Sequence, residues 1–174
     1  IMAKVIPYRG SWVEFEYDQK NVLYVRIDRK RKFPASIFLR ALGLEDDASI
    51  IRAFYAPVEV RIEEGKFSFR VGASCDGRKV RGPVAHPKSG EEIVKKGRRI
   101  RAEQIAELQK AGISWVPVDA SEMEGAWAAT DVVDASTGEV LIEAGRPLGP
   151  EAIEGLAARG IAECEVVFPE REDV

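Results

Sequence analysis

The sequence is poor in the residue types on which many enzyme active sites depend. It has two cysteines, Cys75 and Cys164, and one histidine, His86, among 174 residues. The cysteines lie far apart in the chain, and the histidine has no ligand partner at the spacing that metal sites use. We therefore predict two reduced thiols, no metal centre and no Cys/His nucleophilic catalysis.

Several other patterns are missing as well. There is no run of about 18 apolar residues, so we predict that no segment spans a membrane. The glycine-rich stretches at 77–82 and 95–99 match neither G-x-x-x-x-G-K-[ST] nor G-x-G-x-x-G. Adjacent acids such as Asp46 and Asp47 point apart on a helix or strand. The sequence therefore contains no arrangement typical of a nucleotide-binding or magnesium-dependent enzyme.

What is present is the composition of a folded domain with unevenly distributed charge. The hydrophobic share is 45% and the charged share 32%, which allows a core in one or two domains. Residues 1–40 contain nine Lys/Arg and four Asp/Glu, a net charge of +5, whereas residues 41–174 carry −8. A basic end on an acidic body predicts two surfaces with different partners. Because the chain begins with Ile1, we also expect a piece of a longer polypeptide.

Alternating apolar and polar residues predict two β-hairpins, and helical spacing predicts two short helices between them. In chain order these are a hairpin at 12–28, a helix between Pro34 and Gly43, a helix at about 46–54 and a hairpin at 58–71 that turns at Glu64-Gly65. Residues 72–83 are rich in glycine and small polar residues. This composition predicts a domain boundary at the end of the second hairpin.

An internal repeat occupies most of the second half of the chain. Residues 89–113 align without gaps on residues 137–161 at an offset of 48, with nine identities in 25 positions. Three of the identical pairs are glycines that mark turns or helix ends. Each copy predicts a short strand, a helix and another strand. Because one such unit could not bury its apolar face alone, we predict that the two copies pack as a pseudo-symmetric pair.

Candidate binding residues lie in the basic N-terminal part, around the start of one strand and the end of the next. They are Trp12, Arg26, Arg29, Lys30, Arg31 and Lys32. On one interpretation the indole anchors the hairpin and the cations form a solvated face. On the other, the indole stacks on an unpaired base, worth about 1–3 kcal/mol, and the cations contact phosphates. The residues alone leave both interpretations open.

These same residues carry a resemblance to a known family. The segments AKVIPYRGSW, FEYD and VRIDRKRKFPASIFLRALGL, within residues 3–44, resemble the lobe (β2) domain of the bacterial RNA polymerase β subunit. The segment VKKGRRIRAEQI and the repeat resemble the lineage-specific insertion that proteobacterial-type β subunits carry in this lobe. The resemblance implies an internal fragment of a much larger subunit.

The resemblance, together with the predicted elements, implies an α+β fold with two parts. A lobe domain of antiparallel hairpins and two short helices would occupy residues 1–72, and the chain would return to it at 165–174. An insert made of two pseudo-symmetric strand-helix-strand repeats would occupy residues 73–164. The acidic insert would lie on the outer face of the enzyme.

The resemblance also implies a function in transcription by DNA-directed RNA polymerase, a nucleotidyltransferase. In the family, the tryptophan of RGSW, here Trp12, can stack on a base of the non-template strand. The basic run faces downstream DNA, and the lobe forms one wall of the downstream DNA cleft. Lys30 stands where relatives also carry arginine, so a point charge replaces a bidentate guanidinium there.

The implied partners are the remaining polymerase subunits (β′, α, ω and the σ factor), DNA, and transcription regulators that would dock on the insert. The resemblance implies no catalytic residue, cofactor or metal on this fragment, because the Mg²⁺ and Zn²⁺ of the parent enzyme are bound elsewhere. The implied location is the cytoplasm, with the nucleoid and without membrane contact. The alternative is a stand-alone interaction module built on the repeat, with no role in nucleic-acid binding.

Overall fold

The computed structural model describes residues 2–170, apart from the side chains of Pro150 and Glu154. The chain divides into two compact units, Ile1–Ile50 and Ile51–Val174, which we call the N-terminal and C-terminal units. Antiparallel sheets and short helices make up both, which confirms the predicted α+β class. Within residues 2–170, no helix is long and apolar enough to cross a membrane.

The N-terminal unit is built on a four-stranded antiparallel sheet in the order β1-β2-β3-β4. Its strands are β1 (Met2–Val5), β2 (Val13–Tyr17), β3 (Leu23–Ile27) and β4 (Phe33–Pro34). Strands β2 and β3 form the predicted hairpin, with Phe15 opposite Val25. The alternation that predicted it places Val25 in the core, where none of its surface is exposed.

Both predicted helices are present. Helix α1 (Ala35–Ala41) begins directly after Pro34, and Gly43 follows its end at a φ of +109°. Helix α2 spans Asp47–Phe54. The ring of Phe38 in α1 meets that of Phe15 edge to face, with ring centres 6.0 Å apart. This contact holds α1 against one face of the sheet.

The C-terminal unit is built on a five-stranded antiparallel sheet in the order β10-β13-β5-β6-β9. At its centre lies the second predicted hairpin, formed by β5 (Val58–Glu63) and β6 (Lys66–Arg70). The turn residues Glu64 and Gly65 have φ values of +48° and +70°, as a two-residue type I′ turn requires. Along β5, alternate residues are buried and exposed, so one face of the hairpin is apolar.

Both repeat copies have the predicted strand-helix-strand pattern, preceded by a short additional strand. The first copy comprises β7 (Val84–Ala85), β8 (Glu92–Val94), α3 (Ala102–Lys110) and β9 (Trp115–Val118). After β10 (Trp127–Ala128), the second comprises β11 (Val132–Val133), β12 (Val140–Ile142), α4 (Pro150–Ala158) and β13 (Glu163–Val167). Every element of the second copy begins at the same offset from its counterpart that aligns the two sequences.

The two copies lie on opposite sides of the central hairpin. Strand β13 pairs with β5, and strand β9 pairs with β6. Backbone hydrogen bonds also repeat: the N–H of Val80 donates to the carbonyl of Arg98, and the N–H of Ala128 donates to that of Arg146. The predicted pseudo-symmetric pair is therefore present, and the hairpin lies between its halves.

The compact units divide at residue 50, and the boundary between lobe and insert at 72–73 stays a prediction. The central hairpin shares one sheet with strands of both repeat copies, so it belongs to the C-terminal unit. Of the predicted return at 165–174, residues 165–167 do lie in β13, which pairs with β5, whereas residues 171–174 lie outside the described part.

The core of the C-terminal unit lies between the sheet and the two repeat helices. Val60 and Phe69 of the central hairpin are fully buried. Leu108 of α3 and Leu156 of α4, at equivalent positions of the two copies, are also buried and belong to the same apolar cluster. Each copy therefore buries its helix by packing it into a core that the hairpin completes.

Both cysteines are free and chemically protected. Cys75 is fully buried, and its Sγ lies 3.2 Å from the carbonyl oxygen of Arg70. Burial raises the pKa of the Cys75 thiol. Burial and the adjacent charge of Glu165 raise the pKa of Cys164 to about 11. The prediction of two unpaired thiols is confirmed, and neither has the lowered pKa that a nucleophile needs.

Replacing Phe69 by alanine should lower the free energy of unfolding by about 3–5 kcal/mol, because the change empties a large fully buried position. Urea unfolding followed by circular dichroism measures the loss. Val133→Ala is the control: Val133 is 43% exposed, so its truncation should cost no more than about 0.5 kcal/mol. Equal losses for the two variants would contradict the described core.

Both thiols should react slowly with iodoacetamide at pH 8 in the folded chain and rapidly in urea. The physical reason is that alkylation needs the thiolate, which is scarce when the pKa is raised, and that burial limits access. Mass spectrometry of time-resolved samples measures each site separately. Rapid labelling of Cys75 without denaturant would show that its surroundings open readily.

Candidate nucleic-acid interface

The backbone of Trp12 is fixed by a hydrogen bond, whereas its side chain is partly exposed to solvent. It directly precedes β2, and its carbonyl oxygen accepts a hydrogen bond from the N–H of Asp28, at 2.9 Å. The residue is 39% exposed. The guanidinium carbon of Arg29 lies 5.7 Å from the centre of the indole ring, within cation–π range. The two interpretations of Trp12 are therefore compatible, because anchoring uses the backbone and leaves much of the ring accessible.

A tight turn between β3 and β4 presents the basic run. The N–H of Lys30 donates to the carbonyl oxygen of Ile27 at 3.1 Å, and Asp28 and Arg29 both have positive φ, at +54° and +57°. These values define a type I′ turn made without glycine. Arginine rarely adopts this conformation, which costs about 1–2 kcal/mol. The strands β3 and β4 that the turn joins are paired in the sheet, and this pairing offsets the unfavourable conformation. The turn places Arg29 beside the indole.

Two of the candidate cations are paired with a carboxylate of the sheet. Glu16 on β2 lies 2.9 Å from Lys32 Nζ and 3.4 Å from a terminal nitrogen of Arg26. Lys32 also lies over the ring of Tyr24, 4.6 Å from its centre. Hydrogen bonding from Lys32 is the main cause that lowers the pKa of Glu16. Arg26 and Lys32 therefore have part of their charge neutralised by the protein.

A second carboxylate lies on the same face of the sheet. Glu14 is 9% exposed and lies 2.8 Å from Lys4 Nζ. The hydrogen bond from Lys4 is the main cause that lowers the pKa of Glu14, and the charges of Arg26 and Arg29 contribute. Both acids are therefore ionised at neutral pH and reduce the positive field of the basic cluster.

The six candidates therefore form three groups. Trp12 and Arg29 lie together, Arg26 and Lys32 share Glu16, and Lys30 and Arg31 are exposed at the end of the turn. Sequence reasoning did not single out Glu16, although its position opposite Tyr24 on paired strands could have been read from the hairpin register. It also passed over Tyr8, which is fully exposed and precedes Trp12 in the same segment.

Other side chains of types that can bind metals or act in catalysis have structural roles here. The Nδ1 atom of His86 accepts hydrogen bonds from the backbone N–H groups of Lys88 and Ser89, which closes a turn of the first repeat copy. Asp134, its counterpart in the second copy, accepts from the N–H of Ser136 in the same way. Within residues 2–170, no group of three His, Cys, Asp or Glu could hold a metal ion.

Comparison with known proteins finds relatives that are similar to the chain over nearly its whole length. Residues 2–66 match the family model described as RNA polymerase Rpb2, domain 2. Over 99% of its length the chain is 50% identical to DNA-directed RNA polymerase subunit beta from Solibacter usitatus and 46% identical to that from Koribacter versatilis. Over 95% of its length it is 37% identical to that from Syntrophotalea carbinolica. The chain spans 12% of the length of each of these relatives.

The family match covers the sheet that carries Trp12 and the basic turn, and it ends inside the central hairpin of the C-terminal unit. The relatives extend the similarity through both repeat copies. Because the family model and the relatives agree, the chain belongs to the bacterial DNA-directed RNA polymerase β-subunit family, within which it corresponds to a segment that includes domain 2.

Proposed function

We propose that this chain is a non-catalytic segment of DNA-directed RNA polymerase whose N-terminal unit forms part of a wall of the downstream DNA cleft and contacts the non-template strand. The observation that carries the proposal is the anchored, 39% exposed indole of Trp12, with the Arg29 guanidinium 5.7 Å from its centre. The similarity to polymerase β subunits supplies the context in which an unpaired DNA strand is available.

Stacking is the interaction for which this arrangement is suited. The backbone of Trp12 is fixed by its hydrogen bond to Asp28, so little backbone entropy is lost when a base binds. A base stacked on the ring would gain about 1–3 kcal/mol, whatever its identity. Arg29 lies close enough to add a contact to the phosphate of the same nucleotide while it remains near the ring.

The exposed cations of the turn are suited to phosphates. Arg29 lies on the type I′ turn, Lys30 closes it and Arg31 follows, and all three are exposed. Phosphate contacts position a strand without reading its sequence. Arg26 and Lys32 would contribute less than their charge suggests, because both lie close to Glu16. We therefore assign the strongest DNA contacts to Trp12 and the turn.

The C-terminal unit has the opposite electrostatic character. Residues 51–174 contain 17 Lys/Arg and 22 Asp/Glu, a net charge of −5, which disfavours contact with DNA. We assign this unit, which contains the predicted insert, a peripheral role as a docking module for transcription regulators. The parent enzyme would be the polymerase itself, with β′, α, ω and σ factor as further partners, its Mg²⁺ and Zn²⁺ bound elsewhere, and the cytoplasm and nucleoid as its location.

Deletion of residues 73–164 is a poor test of this role, because of the sheet topology. It would remove β9, which pairs with β6, and the first two residues of β13, which pairs with β5. It would also remove Leu108 and Leu156 from the core. Point substitutions at the surface are therefore the informative changes.

Trp12→Ala in the assembled polymerase should shorten the lifetime of the open promoter complex by roughly 5- to 150-fold, the equivalent of about 1–3 kcal/mol of lost stacking. Trp12→Phe should retain much of the lifetime. Trp127→Ala is the matched control, because Trp127 is 38% exposed but lies in the acidic unit. Dissociation after a heparin challenge gives the lifetime. An unchanged lifetime for Trp12→Ala would refute a stacking role.

Replacing Arg29, Lys30 and Arg31 together by alanine should flatten the salt dependence of DNA binding by the polymerase. Each lost phosphate contact to single-stranded DNA should reduce the slope of log K against log salt by about 0.7. The control removes three exposed cations of the C-terminal unit, Lys95, Lys96 and Arg98. If both triple variants keep the original slope, the turn does not contact phosphate.

A further inference from the structure

The C-terminal unit contains an open apolar groove beside helix α4. Its volume is about 710 Å³, within the range of sites that hold ligands or peptide side chains. The groove lies between α4, the 3₁₀ turn at Ala120–Met123 and the turn of the central hairpin at Gly65. Phe67, Met123, Leu148 and Ile153 supply much of its apolar lining, and all four are at least nine-tenths buried.

The two repeat copies differ in side-chain size at two positions of this groove. Gly149 and Ala157 of the second copy line it, whereas the equivalent positions of the first copy hold Arg101 and Gln109. A Cβ atom added at Gly149 would meet nothing within 4 Å. The second copy therefore carries small residues at positions where the same fold accepts long ones, and there is open space for a side chain at Gly149.

The rim of the groove is acidic. Glu124 is one of its lining residues. A carboxylate oxygen of Glu170 would lie 4.0 Å from a Cβ built on Gly125, another lining residue. Lys66, which flanks the lining residues Gly65 and Phe67, lies 3.5 Å from the carboxylate of Glu64, which offsets part of its charge.

We propose that this groove binds a basic amphipathic segment of a partner protein, whose apolar side chains fill the groove while its Lys or Arg side chains pair with the carboxylates of the rim. An apolar floor with charged edges is the arrangement by which grooves bind amphipathic helices. Complementary charge at the rim would speed association and exclude acidic segments. Nucleic acid is disfavoured as the occupant, because its phosphates would face Glu124 and Glu170.

This inference deepens the docking role proposed for the C-terminal unit and rests on it, but not on the DNA contacts. The residues tested for DNA binding, Trp12 and Arg29–Arg31, do not line the groove. A polymerase could therefore lose its DNA effects while the groove still binds peptide, or the reverse. The two proposals can fail separately.

The experiment uses two double variants of the full 174-residue chain. Gly149→Arg with Ala157→Gln introduces into the groove the residues that the first copy carries at the equivalent positions. Gly155→Arg with Ala158→Gln adds the same two side chains to the same helix, at residues that do not line this groove. The net charge and composition of the two variants are equal, so a difference in binding reports the groove. Thermal unfolding by circular dichroism confirms that both are folded.

The probe is a short fluorescent peptide with leucines at i, i+3, i+4 and i+7 and lysines at its other positions, and anisotropy measures its affinity. A second peptide carries glutamate in place of every lysine. We expect the lysine peptide to bind the native chain and the Gly155/Ala158 variant with similar affinity. Binding to the Gly149/Ala157 variant should be at least about tenfold weaker, and the glutamate peptide should bind none of the three measurably.

Amide chemical shifts in ¹H–¹⁵N spectra locate the contact, and the changes should centre on Met123, Gly149 and Ile153. Three results would overturn the proposal: no binding of the lysine peptide to the native chain, equal weakening by both double variants, or shifts centred away from the groove. Saturable binding of single-stranded DNA at the same residues would also overturn it, in favour of a nucleic-acid site.

Discussion

The C-terminal unit depends on the backbone hydrogen bonds at the two edges of its central hairpin. Strand β13 of the second repeat copy pairs with β5, and strand β9 of the first copy pairs with β6. An isolated hairpin is at best marginally stable, because both of its edges leave hydrogen-bonding groups unpaired. Strands of the repeat copies pair with the hydrogen-bonding groups of both edges, and each copy packs one helix into a shared core. A duplicated unit and an unduplicated hairpin therefore stabilise each other.

In the N-terminal unit, the same sheet that positions the candidate site also limits its charge. The hydrogen bond between Asp28 and Trp12 ties the turn to the start of β2, and the turn places Arg29 beside the indole. At the same time, Glu14 and Glu16 remain ionised on the strands and attract Lys4, Arg26 and Lys32. The exposed part of the basic cluster is consequently smaller than the sequence suggests and is concentrated at one turn.

Local patterns in the sequence predicted the hairpins, the helices and the repeat, because each depends on residues close in the chain. Alternation predicted β2–β3 and β5–β6, and Pro34 and Gly43 marked the limits of α1. The division into compact units at residue 50 could not be predicted in this way, since it depends on strands that pair with partners remote in sequence. The family match ends at residue 66 and the compact unit at residue 50, so the limits of lobe and insert remain predictions.

The sequence by itself determined the secondary structure, the duplicated unit and the membership of the β-subunit family. Periodicity, glycine positions and motifs each depend on residues that are close together in the sequence. Only the tertiary structure decided which cations are paired with Glu16, how much of the Trp12 ring is open and where small residues leave a groove beside α4. These properties arise from distances between side chains that are remote in sequence, and sheet register and helix packing set those distances.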